Sequence, residues 1–175
     1  MAKAGRRARR AARTRRPGPR EALTVLREWT RVPVGVSVVV EGLGAVDVAF
    51  RQATLALRSL PTTNPTVAPF DQRLPEALLL SSPDVAERLV QAWLGPLLDL
   101  PEAEQRALLT TLEIWVGSAG STTRTAQLVH CHRNTVINRL RRISVLTGHE
   151  LVDRPPLVEL SLALRAHRLR VDRQA

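Results

Sequence analysis

The chain has little of what most protein chemistry draws on. Its 175 residues include one cysteine, Cys131, no tyrosine, two phenylalanines and three tryptophans. A single cysteine excludes a disulfide within the chain and fits a reducing compartment, so a cytoplasmic location is expected. No apolar run reaches the roughly 18–20 residues of a spanning helix. The longest, VPVGVSVVV at 32–40, is closed by Glu41, and no membrane partner is expected. The Arg-rich start has no apolar segment directly behind it, so it does not read as a secretory signal. There is no Gly-rich phosphate loop, and Glu41, Asp47 and Asp71 are scattered rather than paired. No enzyme is expected. Lysine is nearly absent too: of 26 basic residues only Lys3 is not arginine. That skew reads as genome composition more than chemistry.

Acidic residues are missing from two stretches. Residues 1–20 hold nine basic residues and no acidic one, and residues 116–149 hold five and none. Between them, residues 21–115 carry seven basic against twelve acidic. The net charge of +10 therefore sits largely in the first twenty residues, and the total alone does not mark the folded part as a polyanion binder. Residues 1–20 end in Pro17-Gly18-Pro19 and can bury no apolar surface, so a disordered arm is expected. It is either a solvated tail or a source of sequence-independent attraction to phosphates.

With 44% hydrophobic and 24% charged residues, the remainder should fold around a core. Residues 21–30 read as a short helix with Leu23, Leu26 and Trp29 on one side. VPVGVSVVVEG, rich in β-branched residues and bounded by Pro33 and Gly42, reads as a buried strand. A helix over about 44–59 follows, with Val46, Phe50, Ala53 or Thr54, and Leu57 at helical spacing. PTTNP is a loop, and TVAPFD a short edge strand, because Pro69 removes a ladder donor. From residue 82 the period is helical. Ser82 caps, Pro83 opens the helix, and Val85, Leu89, Ala92 and Trp93 form its stripe. Pro101 opens another, with Leu108, Leu112, Trp115 and Val116 on one face, stopped by Gly117–Gly120. All three tryptophans are expected in the core.

The fold class expected is mainly α. A helical domain at 76–175, with a helix-turn-helix at 122–148, follows a partial α/β segment at 21–75 and the disordered arm at 1–20. Thr123 is the expected N-cap of a helix over about 124–130. After a turn at 130–132, a second helix over about 133–147 ends at Gly148. At 100° per residue Val136, Leu140 and Ile143 fall within about 60° of one another, a narrow apolar stripe. Asn134, Asn138 and Arg141 point the opposite way, flanked by Thr135, Ile137, Arg139 and Arg142. Asparagine and arginine are side chains that read base edges and bind phosphate. In a DNA-binding helix-turn-helix a small residue in the first helix lets the second cross close over it. Ala126 occupies that place, with Val129 and Cys131 filling the core around the turn. Asn134, Asn138 and Arg141 are the expected base-facing residues, and Thr135, Arg139 and Arg142 the expected phosphate contacts. The absence of any aromatic residue from 116 to 175 removes a stacking platform for single strands and favours duplex DNA.

HRNTVINRLRRI followed by LTG, then LVELSLALRAHRL at 157–169, resembles the C-terminal helix-turn-helix of PucR/CdaR-type bacterial transcription regulators. The resemblance covers roughly 76–169. More weakly, GVSVVVEGLGAVDVAFRQATLAL and VAPFDQRL resemble the tail of the GGDEF-like domain that usually precedes it. The resemblance implies a one-component regulator that binds operator DNA, commonly as a homodimer, with sensing upstream and an effector that stays unknown. By position His132, Arg133, Asn134, Thr135, Arg139, Arg141 and Arg142 match its motif, and Thr123 joins the expected DNA-binding set as the cap. Ile137-Asn138 departs from the Arg-Tyr or similar pair that members generally carry, and His130 from a bulky apolar residue. The chain is short for the family, as a fragment, an internal start or a decayed regulator would be.

Other readings fare less well. His130, Cys131 and His132 are possible zinc ligands, but a closed site needs four and no CxxC spacing exists, so no cofactor or metal is expected. A nucleotide cyclase would need an acidic metal-binding loop that is missing. The third class is an interaction module, with the helices at 82–119 pairing chains and the helix-turn-helix a relic. A relic would bind every duplex alike.

Overall fold

A computed structural model describes residues 18–61, 66–152, 155 and 157–174. The basic arm, as far as residue 17, and most of the PTTNP loop lie outside the described residues. Eight α-helices, two single-turn 3-10 helices and one two-stranded sheet make up the regular structure of the described part, and the expected mainly α class holds.

Helix α1 spans Pro19–Trp29. Proline at the first turn needs no N–H partner, and the Gly18 N–H donates to Glu21 Oε2 at 3.0 Å. Leu23 and Leu26 are half-buried, but Trp29 is 79% exposed. The expected core role of Trp29 is therefore corrected: among the described residues its ring is left on the surface of α1.

Strand β1 (Val34–Val36) pairs in parallel with β2 (Val67–Pro69), Val34 opposite Val67. Helix α2 (Val46–Arg58) is the crossover. The strand expected over VPVGVSVVVEG is thus only three residues long and half-buried. Its partner sets the limit, because Pro69 offers no N–H to the ladder, and the Val38 N–H donates instead to Gln52 Oε1 at 3.3 Å. Gly35 is where α2 lies on the strand, since a Cβ there would sit 2.0 Å from the Ala53 carbonyl oxygen and 2.5 Å from the Leu57 nitrogen. So close an approach selects small side chains: Ala56 is fully buried. Val46 and Phe50, 54% and 71% exposed, remain on the surface with Leu57. The stripe expected on α2 is helical but does not face the core.

Helix α3 (Leu74–Ser81) has no counterpart in the sequence reading. LPEALLLS is apolar nearly all round, which leaves no helical period to detect. Helix α4 (Pro83–Leu98) starts where expected, although the Ser82 side chain makes no cap bond. Its buried residues are Val90, Leu94, Gly95 and Leu97. The expected stripe is out of phase, with Val85 and Ala92 exposed and Leu89 and Trp93 half-buried. α4 is apolar on two sides; it packs against α8, α7, α3 and α5, and the side with Val90, Leu94 and Leu97 is the buried one. Helix α5 (Glu102–Gly117) buries Leu108, Leu112 and Trp115 as expected, together with Thr111.

These helices, α6 (Thr122–Leu128), α7 (Arg133–Thr147) and α8 (Val158–Gln174) share one core. α8 lies along α4 and α3. Ion pairs tie it to three helices: Arg165 to Glu76, Arg168 to Glu113 at 3.0 Å and Arg170 to Glu87 at 3.2 Å. Glu76 is nearly buried in its pair, whereas the other two pairs are largely exposed and fix geometry more than they stabilise. Among the described residues no helix is long and apolar enough to cross a membrane.

Two outcomes follow from this packing. Gly35→Ala should cost about 1–3 kcal/mol in urea unfolding, because backbone rather than a flexible side chain blocks the new methyl. Burial, then the charge of Arg170, holds the His167 pKa below its ordinary value. The unfolded chain therefore takes up this proton first, so stability falls as pH drops through about 6.5. Thermal melts from pH 7.5 to 5.5 should show that fall, and His167→Gln should flatten it.

Candidate nucleic-acid interface

The loop before α6 reads SAGSTT, and three hydroxyl residues in a row could cap the helix. Ser121 does so. Its backbone is extended, and its Oγ accepts from the Arg124 N–H at 3.2 Å. Thr123, the expected cap, lies exposed inside the first turn. Behind the cap, the Thr125 hydroxyl is fully buried and donates to the Ser121 carbonyl at 2.7 Å.

α6 ends in a left-handed residue that is not glycine. His130 has φ 51°. The Cys131 N–H reaches the Ala126 carbonyl at 3.0 Å, and the His130 N–H reaches that of Gln127 at 3.4 Å. That bond pair is the Schellman closure of a helix end. It turns the chain into α7 within four residues. Cys131 and Val129 are half-buried against the core, and Ala126 is buried. The small Ala126 side chain stands where α6 and α7 approach, as the spacing predicts.

α7 runs over Arg133–Thr147 and is closed by Gly148 at φ 74°. His132 is the residue before it, extended and without a side-chain cap bond. Val136 and Leu140 are 0% exposed and Ile143 1%. On the opposite side Asn134, Asn138 and Arg141 are exposed. The far end is held in two ways. The Ser144 hydroxyl accepts from the Leu151 N–H at 3.1 Å, and the His149 ring stacks on Trp93 with centroids 3.7 Å apart.

The remaining candidates divide. His132 and Arg133 are exposed at the start of α7, and Arg133 Nε donates to the Thr122 hydroxyl at 3.1 Å. Thr135 is half-buried. Arg139 is also half-buried, and its Nη1 donates to the Thr111 hydroxyl on α5 at 2.9 Å. Arg142 Nε pairs with Glu104 Oε1 on α5 at 3.3 Å. The absence of acidic residues within 116–149 therefore does not leave every arginine of α7 without a protein partner. Sequence reasoning missed Ser121, Thr122, Thr111 and Glu104. Ser121 and Thr122 left a signal as hydroxyls beside the expected cap, Thr111 as a polar residue within the buried stripe Leu108–Leu112–Trp115, and Glu104 left none.

Among the described residues no group of three or more His, Cys, Asp or Glu is placed to hold a metal ion. What the surface offers is amide and guanidinium groups on an exposed helix face, with no carboxylate on the same helix. Such a face can donate to acceptors on base edges and phosphates.

Replacing His130 by glycine should raise stability by up to about 1 kcal/mol, because a side chain in the left-handed region is strained there. Chemical unfolding checks it, and a loss of stability would mean the His130 side chain contributes more than its backbone costs.

Comparison with known proteins adds the family. Residues 108–166 match the model of the PucR C-terminal helix-turn-helix domain. The purine catabolism regulatory protein of Bacillus subtilis (strain 168) is 31% identical over 141 residues, 79% of this chain and 26% of that protein. This chain thus spans about a quarter of that relative's length. An uncharacterized protein in the pkwA 5' region of Thermomonospora curvata is 34% identical over 125 residues, 71% of this chain and 68% of that one. A regulator of polyketide synthase expression from Bifidobacterium adolescentis, seen in a crystal structure, is 22% identical with a TM-score of 0.42, over 77% of this chain and 54% of that chain. With α6, the turn and α7 inside the matched span, the chain belongs to the family that carries the PucR-type helix-turn-helix.

Proposed function

We propose that this chain binds duplex DNA sequence-specifically through α7 and regulates transcription. The observation that carries the reading is the division of α7 into two faces. Val136, Leu140 and Ile143 dock on the protein, while Asn134, Asn138 and Arg141 stand free. On this reading those three meet base edges in a major groove. Thr123, His132, Arg133 and Thr135, at the approach of α6 and α7, lie toward the phosphates, as does Arg142 through the N–H groups that Glu104 leaves unused. The basic residues of 1–20 add attraction that is blind to sequence.

Helix-turn-helix proteins commonly read paired half-sites as two-fold dimers, and a homodimer is part of the proposal. So are a cytoplasmic location, no catalytic activity, and a division into an arm, an α/β segment at 21–75 of GGDEF-like ancestry and a helical domain at 76–175. The regulatory role of the Bacillus relative supports the transcriptional reading by similarity. A second reading, as an interaction module with at most non-specific nucleic-acid binding, draws on the exposed Val46 and Phe50 of α2 and Val85 of α4.

Selection of bound duplexes from a random pool at physiological salt separates the two. A specific binder enriches a defined sequence, and an interaction module enriches none. On the enriched duplex, Asn134→Ala should cost about 1–3 kcal/mol and relax preference at one position. Equal weakening on all sequences would remove Asn134 from the base-facing set.

A further inference from the structure

Arg139 and Arg142, three residues apart, share one flank of α7. Their partners Thr111 and Glu104, seven apart, share one flank of α5. The two contacts differ in kind. Thr111 is fully buried, and its hydroxyl donates to the Ala107 carbonyl at 2.7 Å while it accepts from Arg139 Nη1 at 2.9 Å. With its proton committed inside α5, the hydroxyl presents a lone pair in a fixed direction. Arg142 and Glu104 form a looser pair, with side chains 51% and 41% exposed, open to screening by salt.

A narrow apolar stripe keeps α7 on the core but is non-directional, so it constrains position better than rotation about the helix axis. A roll of about 20° at a helix radius of roughly 5–6 Å carries an outward tip by about 2 Å. A bidentate contact to a base edge does not survive that displacement. The hydrogen bond from Arg139 to Thr111 is directional and off-axis, which is what fixing the roll requires.

On the reading that α7 enters a major groove, we propose that Arg139 is a positioning residue. Anchored on the Thr111 hydroxyl, it sets the roll of α7, decides which base edges Asn134, Asn138 and Arg141 meet, and holds no phosphate itself. Position in the motif alone would have counted it among the phosphate contacts.

Salt dependence tells the two roles apart, because removing a cation that neutralises one phosphate lowers the slope of log affinity against log salt by about 0.9. The full chain, Arg139→Ala, Thr111→Val and Arg141→Ala would each be titrated onto the enriched duplex and a scrambled one from 50 to 200 mM salt. Circular dichroism would establish that each variant is folded. Arg139→Ala and Thr111→Val should each lower the ratio of enriched to scrambled affinity about tenfold, the equivalent of one mis-set base contact, with the slope on scrambled duplex unchanged. A slope lower by about 0.9 in Arg139→Ala, or full discrimination in Thr111→Val, overturns the proposal. Arg141→Ala reports on the groove contact by itself. A parent chain that binds enriched and scrambled duplexes alike removes the underlying reading instead, and the proposal with it.

Discussion

Three side chains, Val136, Leu140 and Ile143, hold α7 to the rest of the molecule, and what the protein can present to a partner depends on that contact. They are among the most buried residues of the chain. They meet a core supplied by α4, α5 and α6. Because they occupy a single narrow stripe, the remainder of the α7 circumference is free for polar groups. The turn from α6 brings α7 onto its seat, with Ala126 small enough for the crossing. The C-terminal end is fixed by Gly148, by the bond between Ser144 and the following loop, and by the Trp93–His149 stack. Seated at both ends over a small-residue crossing, α7 keeps its place on the core, and the off-axis bond from Arg139 to Thr111 adds a constraint on its roll.

The electrostatics of that face are more selective than the charge count implies. Five arginines and no acidic residue lie within 116–149, yet Arg133, Arg139 and Arg142 each have a partner on α5 or α6. Arg141 and the two asparagines make up the unengaged set at the centre of the face. Part of the basic character of α7 thus orients the helix, and a smaller part is left for a ligand. The acidic excess of residues 21–115 has a matching use: Glu76, Glu87 and Glu113 hold α8 through its arginines.

How much of this could be read from sequence varies by element, for physical reasons. α7 was legible to the residue because both signals agreed, a stripe of period 3.6 and a glycine at the left-handed closing position. Its neighbour α6 was legible in place but not in its cap, because Ser121, Thr122 and Thr123 are chemically equivalent candidates. α3 leaves no mark, since a helix apolar nearly all round has no clear period. The stripe expected on α4 is the wrong face, because two of its sides are apolar and only the helices that pack on it decide between them. The strand at 34–36 was read too long, as composition marks β-forming residues but not how many partners exist to pair them. Spacing puts Trp29 on one side with Leu23 and Leu26, and spacing says nothing about whether anything lies opposite. The tie between Arg139 and Thr111 joins residues 28 apart, beyond the reach of any local pattern.

The central claim, that α7 lies in a major groove with Asn134, Asn138 and Arg141 on base edges, is open to methylation interference on a selected duplex. Methyl groups on guanine N7 project into the major groove, and those on adenine N3 into the minor. The account predicts that N7 methylation blocks binding at discrete guanines within each half-site, while N3 methylation there is tolerated. Interference confined to adenine N3, or spread evenly along the duplex, would contradict it.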